Sequence, residues 1–120
     1  MSKRVLIVDD NPEIQIANQI RLSAAGFQVE CAASGVLGLE LAARQQPDAI
    51  VLDIRMPELN GLEVLQVLKQ RPETQGIPVV MLSASVGDER SALVAGARFF
   101  LPKPCAGETL VDALNVAMAT

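Results

Sequence analysis

Polar side chains that could do chemistry together follow four separate apolar runs of this 120-residue sequence. In chain order they are Asp9 and Asp10, then Asp53, then Ser83, then Lys103. Taken alone, each has an ordinary explanation, since aspartate and serine after a strand commonly lie in turns or cap helices, and a lone lysine usually lies in water. Five such residues after four runs are harder to attribute to chance. We therefore interpret them as one site.

The three carboxylates of this set indicate a cation site. Two carboxylates about 4 Å apart repel each other by roughly 4 kcal/mol at an effective dielectric constant near 20. Oxygen ligands without a nitrogen or sulfur ligand nearby suit Mg²⁺, which keeps several waters and usually binds one or two carboxylates with phosphate oxygens. A metal ion and a lysine could then neutralise a phosphoryl group while a further carboxylate attacks phosphorus in line.

The elements that must position these side chains alternate between strand-like and helix-like patterns. Apolar runs predict strands over residues 4–8, 27–32, 49–52, 77–82 and 97–101. Strands that alternate with helices pair in parallel through right-handed crossovers. The sequence therefore predicts an α/β fold, a doubly wound five-stranded parallel sheet with five helices. In such a sheet the ligand crevice lies at the carboxyl ends of the strands, where the polar residues are.

Apolar residues at helical spacing predict the helices between these strands. The clearest sets are Ile16, Ile20 and Ala24 in the first helix, Leu62, Leu65 and Leu68 in a later one, and Leu110, Val111, Leu114, Ala117 and Met118 in the last. Pro12 suits a helix start, and Gly26 and Gly96 suit helix ends. The fourth helix is expected over residues 88–95.

Composition excludes several classes of protein. Half of the residues are apolar and the net charge is −4 without a basic cluster, which argues against disorder, coiled coil and direct binding of nucleic acid. The absence of histidine removes a catalytic histidine and the usual zinc site, and Cys31 and Cys105 have no ligand spacing. No run has the length of a membrane span or the form of a signal peptide. We expect one cytoplasmic domain over residues 1–120.

Four segments resemble the receiver domains of two-component response regulators. They are VLIVDDN (5–11), VLDIRMPELNG (51–61), VVMLSAS (79–85) and GARFFLPKP (96–104). The segments occur in the family's order at nearly the expected separations, and the resemblance spans the whole chain. It implies a flavodoxin-like fold with strand order 2-1-3-4-5 and a single receiver domain.

The resemblance also implies roles for the residues of the site. Asp53 would be the phospho-accepting nucleophile. Asp10 would bind Mg²⁺ directly, Asp9 would help through water, and the backbone carbonyl of Arg55 would be a further ligand. The Arg55-Met56-Pro57 sequence agrees with this role, because the residue before a proline is extended and the loop can expose a carbonyl.

Three further roles follow from the same resemblance. Lys103 would pair with phosphoryl oxygens, and Ser83 would bond the phosphoryl group once it is attached. Phe100 would hold the aromatic switch position, although it could equally be a packed core residue, as we expect of Phe99. The Lys103-Pro104 bond is a candidate cis peptide that would aim the lysine across the strand ends, or else a plain strand terminator.

The sequence departs from the family pattern in three places. Only 13 positions separate Ser83 from Gly96, so the fourth helix should be short or its preceding loop tight. Cys105 stands where a bulky apolar residue is common, and we interpret it as a small buried side chain. Phe100 lacks the hydroxyl of the tyrosine that often holds its position.

The resemblance implies a phosphorylation-controlled interaction module and not an ordinary enzyme. Its expected partners are a histidine kinase or histidine phosphotransfer protein and a downstream effector, with dimerisation on phosphorylation as a further expectation. Two alternatives remain open: a relay that passes the group to a phosphotransfer protein, and the receiver of a longer regulator or hybrid kinase. An aspartate-dependent phosphatase is disfavoured because Arg55 replaces the second acid. A flavin or nucleotide module is disfavoured because no glycine-rich turn follows the first strand.

Overall fold

The computed structural model describes residues 2–119, in which five strands and five helices alternate as predicted. The strands are β1 (Arg4–Val8), β2 (Gln28–Ala32), β3 (Ala49–Leu52), β4 (Val79–Ser83) and β5 (Phe99–Pro102). The helices are α1 (Pro12–Ala24), α2 (Gly35–Gln45), α3 (Gly61–Gln70), α4 (Glu89–Val94) and α5 (Gly107–Met118), with a 3-10 turn at Val86–Asp88.

The strands form one sheet in the order β2-β1-β3-β4-β5, and every neighbouring pair is parallel. This confirms the predicted flavodoxin-like topology. One buried cluster packs α2, α3 and α4 against one face of the sheet, and a second packs α1 and α5 against the other. In the described part of the chain, no helix combines the length and the apolar character needed to cross a membrane.

Three strands begin later than the sequence predicts, because the turn before each strand uses the predicted residues. The second strand begins at Gln28, since the Phe27 N–H bonds to Leu22 O at the end of α1. The fourth strand begins at Val79, since the Ile77 N–H bonds to Thr74 O in the preceding turn. The fifth begins at Phe99, since the Ala97 N–H bonds to Ala92 O and closes the end of α4. The fourth strand also runs one residue further than predicted. Ser83 is therefore the last residue of β4 and not the residue that follows it.

The first helix begins at the predicted residue, but the isoleucines whose spacing predicts the helix do not pack against the sheet. Its first residue is Pro12, and the Asn11 side chain caps it by accepting from two backbone N–H groups. Ile16 and Ile20 are 57% and 65% exposed, whereas Asn18 and Leu22 are buried. The spacing of the isoleucines gives the helical period, but only the packing decides which face meets the sheet.

The fourth helix is short, as the spacing predicted. It has six residues and is preceded by the 3-10 turn, so the connection between β4 and β5 contains less than two turns of α-helix. Gly96 follows it with φ at 114°, a conformation that side chains other than glycine rarely adopt.

Candidate functional site

The register of the central strands places two of the predicted aspartates side by side. Val8 of β1 pairs with Leu52 of β3, so Asp9 and Asp53 leave the sheet at the same level. The Asp53 N–H donates to Val8 O at 2.9 Å, which holds the two strand ends together. Both aspartates are buried, at 3% and 6% exposure.

Lys103 directly follows β5 and reaches across the end of β4 to the two aspartates. Its backbone N–H donates to Ser83 O at 2.8 Å, and the Lys103-Pro104 bond is cis, as proposed from the sequence. The Lys103 Nζ lies 2.9 Å from Asp9 Oδ2 and 3.3 Å from Asp53 Oδ1. One ammonium therefore contacts two buried carboxylates.

The third aspartate completes an acidic cluster. Ligand oxygens of Asp9, Asp10 and Asp53 lie within 4.8 Å of one another, and Asp10 is exposed. Three hard oxygen donors with one edge open to water are the donor set that Mg²⁺ accepts while it keeps part of its hydration. The residues present therefore fit this ion, and the single lysine leaves the cluster with an excess of negative charge.

The Asp53 carboxyl is destabilised in its charged form. Burial raises its pKa first, and the Asp9 charge raises it further. The Lys103 ammonium and the Ile54 backbone N–H lower the pKa again, but the net direction is upward. A buried carboxylate with this surplus of repulsion is stabilised by any cation or cationic group brought to the open side.

The loop after β3 is anchored by a close backbone approach. The Gly61 N–H donates to Ile54 O at 2.9 Å, and α3 begins at Gly61. A Cβ built on Gly61 would lie 2.1 Å from the Asp53 carbonyl oxygen, so only glycine fits there. The Asn60 side chain caps the helix and forms a capping box with Glu63. This loop carries Arg55, whose backbone carbonyl was the predicted metal ligand.

Ser85 links Ser83 to the Arg55 side chain by two hydrogen bonds. Ser83 is fully buried, and its Oγ accepts a hydrogen bond from the Ser85 N–H at 3.1 Å. The Arg55 Nη2 donates to Ser85 Oγ at 3.2 Å and lies 3.0 Å from Asp88 Oδ2. The arginine thus faces the segment before α4, not the acidic cluster.

The two adjacent phenylalanines of β5 lie on opposite faces of the sheet. Phe100 is 8% exposed and belongs to the cluster under α3 and α4. Phe99 is half-buried and packs against the cluster under α1 and α5. The predicted switch residue therefore already lies inside the core. Cys105 is free and only half-buried where it packs against the cluster under α1 and α5, so the expectation that it is buried is wrong.

Two contacting residues were missed by the sequence reasoning. The Gln15 Nε2 donates to the backbone oxygen of Asp9 at 2.5 Å and to that of Ala32 at 3.2 Å, and so steadies the ends of β1 and β2. Asp88 pairs with Arg55. Neither has a spacing that points to the site, because both come from helix starts whose orientation only the fold decides.

A family model described as the response regulator receiver domain matches residues 5–115. Response regulator MprA of Mycobacterium ulcerans (strain Agy99) is 42% identical over 120 residues, which cover 98% of this chain and 51% of that protein. MprA of Mycobacterium leprae (strain TN) is 43% identical over 117 residues, covering 96% and 50%. The chain spans about half the length of these curated relatives.

Solved structures agree with the sequence relatives. A candidate response regulator from Chloroflexus aurantiacus J-10-fl superposes with a TM-score of 0.95 at 29% identity over the whole of both chains. The receiver domain of a sensor histidine kinase from Pseudomonas aeruginosa PAO1, with a magnesium ion coordinated in its active-site cleft, gives 0.92 at 29% identity, again over both whole chains. Chemotaxis protein CheY4 of Vibrio cholerae gives 0.90 at 30% identity and covers 98% of this chain and 99% of that one.

The matched segment contains four strands whole, all of β1 except Arg4, and every member of the acidic cluster together with its lysine. The superposition on solved structures supports the same assignment as the sequence relatives. The chain therefore belongs to the response regulator receiver domain family.

Proposed function

We propose that this receiver domain accepts a phosphoryl group on Asp53 from a phosphohistidine of a histidine kinase or histidine phosphotransfer protein, in a Mg²⁺-dependent reaction. The observation that carries the proposal is the contact of Lys103 Nζ with both Asp9 and Asp53. A lone ammonium shared by two buried carboxylates is well placed to hold phosphoryl oxygens beside the attacking carboxylate.

The proposed reaction moves one phosphoryl group and one proton. An Asp53 carboxylate oxygen attacks phosphorus, the bond from phosphorus to the donor imidazole nitrogen breaks, and that nitrogen keeps the electron pair and takes up a proton. The product is an acyl phosphate on Asp53. Water later attacks the phosphorus, which releases inorganic phosphate and restores the carboxylate. No other group changes its oxidation state or covalent bonds.

The chain's own residues orient and neutralise the reactants. Asp9, Asp10, Asp53 and the Arg55 carbonyl would hold Mg²⁺, which when bound supplies positive charge to the phosphoryl oxygens. Lys103 supplies a second positive charge from the opposite side. The Ser83 hydroxyl, which now accepts a bond from Ser85, can turn to donate to a phosphoryl oxygen.

The signal would leave the site through Ser83 and β5. Movement of Ser83 towards a phosphoryl group draws in the segment before α4 and reshapes the surface formed by α4, β5 and α5. Phe100, which is already buried, would move further in and fill the space that the Ser83 segment vacates. We assign this surface to a downstream effector or to a second copy of the chain on phosphorylation.

Several wider expectations belong to the same proposal. We treat residues 1–120 as a single receiver domain that functions in the cytoplasm beside its kinase. That this domain does not itself bind nucleic acid stays a prediction from its net charge of −4.

The proposal is tested by direct phosphorylation. Incubation with acetyl phosphate and Mg²⁺ should add one phosphoryl group that is labile to base, and peptide mass spectrometry should locate it on Asp53. Asp53→Asn should abolish it, whereas Asp112→Asn, a change at an exposed position on α5, should not. Stoichiometric labelling of the Asp53→Asn chain on a serine or threonine would contradict the proposal.

A further inference from the structure

One arginine joins the loop after Asp53 to the segment before α4. The Arg55 Nη2 lies 3.0 Å from Asp88 Oδ2 and donates a hydrogen bond to Ser85 Oγ. The Arg55 side chain is 67% exposed, whereas that of Asp88 is only 18% exposed. The arginine can therefore leave this contact into solvent easily, but the aspartate cannot.

Asp88 occupies the N-cap position of α4 without capping it. An aspartate at this position usually accepts a bond from the backbone N–H two or three residues later. Here the Asp88 side chain makes no such bond, and its backbone is helical, not extended. Its Oδ2 is buried and has no hydrogen-bond partner in the described residues, so the Arg55 ion pair is what compensates its charge. Asp88 thus has a second set of partners, in its own helix, that it does not use.

We propose that Asp88 is a switch residue with two alternative partners. In the unphosphorylated chain it pairs with Arg55. When Asp53 carries a phosphoryl group, Arg55 turns to the phosphoryl oxygens, and Asp88 rotates to cap α4. This inference rests on the proposed phosphorylation of Asp53.

The contacts around Ser85 place the guanidinium near the phosphoryl position. Ser85 accepts from Arg55 through its hydroxyl and donates through its N–H to Ser83 Oγ. Only one residue therefore separates Arg55 from the hydroxyl proposed to bind the phosphoryl group. Arg55 also lies two residues after Asp53 in the same loop.

Charge favours the exchange of partners. A phosphoryl group carries up to two negative charges and three strong acceptor oxygens, whereas Asp88 offers one charge. Charge-assisted bonds from arginine to phosphoryl oxygens are among the strongest hydrogen bonds in proteins. The released Asp88 would otherwise remain a partly buried, unpaired carboxylate, and a bond to the start of α4, which its side chain does not make now, would relieve this cost.

Coupling between the two contacts must be reciprocal. If phosphorylation breaks the Arg55 to Asp88 pair, then breaking the pair by mutation must favour the phosphorylated state by the same factor. Beryllofluoride, a phosphoryl mimic, measures this factor as a binding affinity in the presence of Mg²⁺.

Asp88→Asn separates the two roles, because asparagine caps helices as well as aspartate does but cannot form the ion pair. Asp88→Asn should bind beryllofluoride about fivefold more tightly than the wild type, at the lower end of typical couplings between sites. Asp88→Ala, which can neither pair nor cap, should gain as much as Asp88→Asn, because asparagine caps α4 in both states and its cap cancels from the affinity. In an Arg55→Gln background, Asp88→Asn should leave the affinity unchanged. Titrations followed by amide chemical shifts give the five affinities, which are those of the wild type, the three single variants and the double variant.

Glu89→Gln is the matched control. It removes the same charge from the adjacent exposed residue, so it should leave the affinity unchanged if the ion pair and not the local charge is responsible. Equal affinities of Asp88→Asn and wild type would overturn the inference, as would an equal gain from Asp88→Asn with and without Arg55.

Hydrogen exchange without any phosphoryl mimic tests the cap itself. Arg55→Gln should release Asp88 to cap α4 in the unphosphorylated chain and so increase the protection of the Arg90 or Ser91 amide. Adding Asp88→Ala should remove this gain. Unchanged protection in Arg55→Gln would overturn the exchange of partners, whereas a wild type that does not bind beryllofluoride with Mg²⁺ would overturn the proposed function.

Discussion

At the scale of single residues, the environment of Asp53 combines burial with like charge. The carboxyl is held beside Asp9 in a site that water reaches from one side, and Lys103 offsets only part of the repulsion. The same arrangement that suits a phosphoryl acceptor therefore costs stability while the carboxylate is free.

Asp53→Asn should stabilise the metal-free chain in a pH-dependent way. Because the folded-state pKa of Asp53 is raised, the folded chain keeps this proton to a higher pH than the unfolded chain does. The stability of the wild type relative to Asp53→Asn should fall as pH rises from about 4 through the folded-state pKa. At pH 7, where the wild-type carboxylate is charged, the variant should be the more stable of the two. Urea unfolding at several pH values measures the difference.

The exposed Asp112 on α5 provides the control for this comparison. Asp112→Asn should shift the unfolding midpoint equally little at every pH. A wild type that gains stability over Asp53→Asn between pH 4 and 7 would contradict the upward pKa of Asp53.

At the scale of elements, the loops at the carboxyl ends of the strands position the site. The first contact of α3 with the strand ends is backbone to backbone, between Gly61 and the Asp53 carbonyl. The segment from Ser83 to Asp88 is held by an internal bond from the Ser85 N–H to Ser83 Oγ and by a bond from Arg55 to Ser85 Oγ. These two loops couple the nucleophile to α4.

Gly61→Ala should damage both the stability and the site. Its Cβ would lie 2.1 Å from a backbone oxygen that cannot yield without moving Asp53. We expect a loss of about 3 kcal/mol in the free energy of unfolding, at the upper end of overpacking costs, together with weaker Mg²⁺ binding. Gly76→Ala, where a Cβ meets nothing within 4 Å, should leave both properties nearly unchanged. Comparable losses in the two variants would show that the close approach is not the cause.

Ser83→Ala should separate phosphorylation from signalling. The variant should still take a phosphoryl group on Asp53, because the nucleophile, the lysine and the acidic cluster remain. In the wild type, beryllofluoride should change amide chemical shifts over residues 84–101, and in Ser83→Ala these changes should be much smaller. Wild-type changes confined to residues 9–10 and 53–61 would contradict a switch through Ser83 and β5.

At the scale of the whole molecule, two apolar clusters on the faces of the sheet offset the repulsion at one edge. The clusters are continuous across all five strands, whereas the acidic residues lie at the carboxyl ends only. Since net stabilities of domains are about 5–15 kcal/mol, relief of this repulsion should be visible in global unfolding.

Mg²⁺ should raise the melting temperature of the chain, because the acidic cluster is assembled only in the folded state. At a concentration ten times the dissociation constant, the gain is about 1.4 kcal/mol. For a domain of this size that corresponds to about 5 °C. Calorimetry with and without Mg²⁺, at ionic strength matched with KCl, measures the shift. Asp10→Asn should reduce it strongly, and a wild type that responds equally to KCl and Mg²⁺ would contradict the cation site.

The sequence by itself determined the alternation of elements, the parallel sheet and the polar residues at its carboxyl edge. These features are local, since the period of the apolar residues and the ends of the strands can be identified within short segments of the sequence. The helix start at Pro12 and the shortness of α4 were predictable for the same reason.

Only the tertiary structure decided which faces pack and which side chains meet. Ile16 and Ile20 have a helical period, yet the helix turns Asn18 and Leu22 to the sheet. Asp88 lies 33 positions after Arg55, and no spacing rule joins them, because their contact depends on where two loops from different strands end. The contacts of Lys103 with Asp9 and Asp53 likewise span the chain, and they exist because strand register, a non-local property, brings those ends to one level.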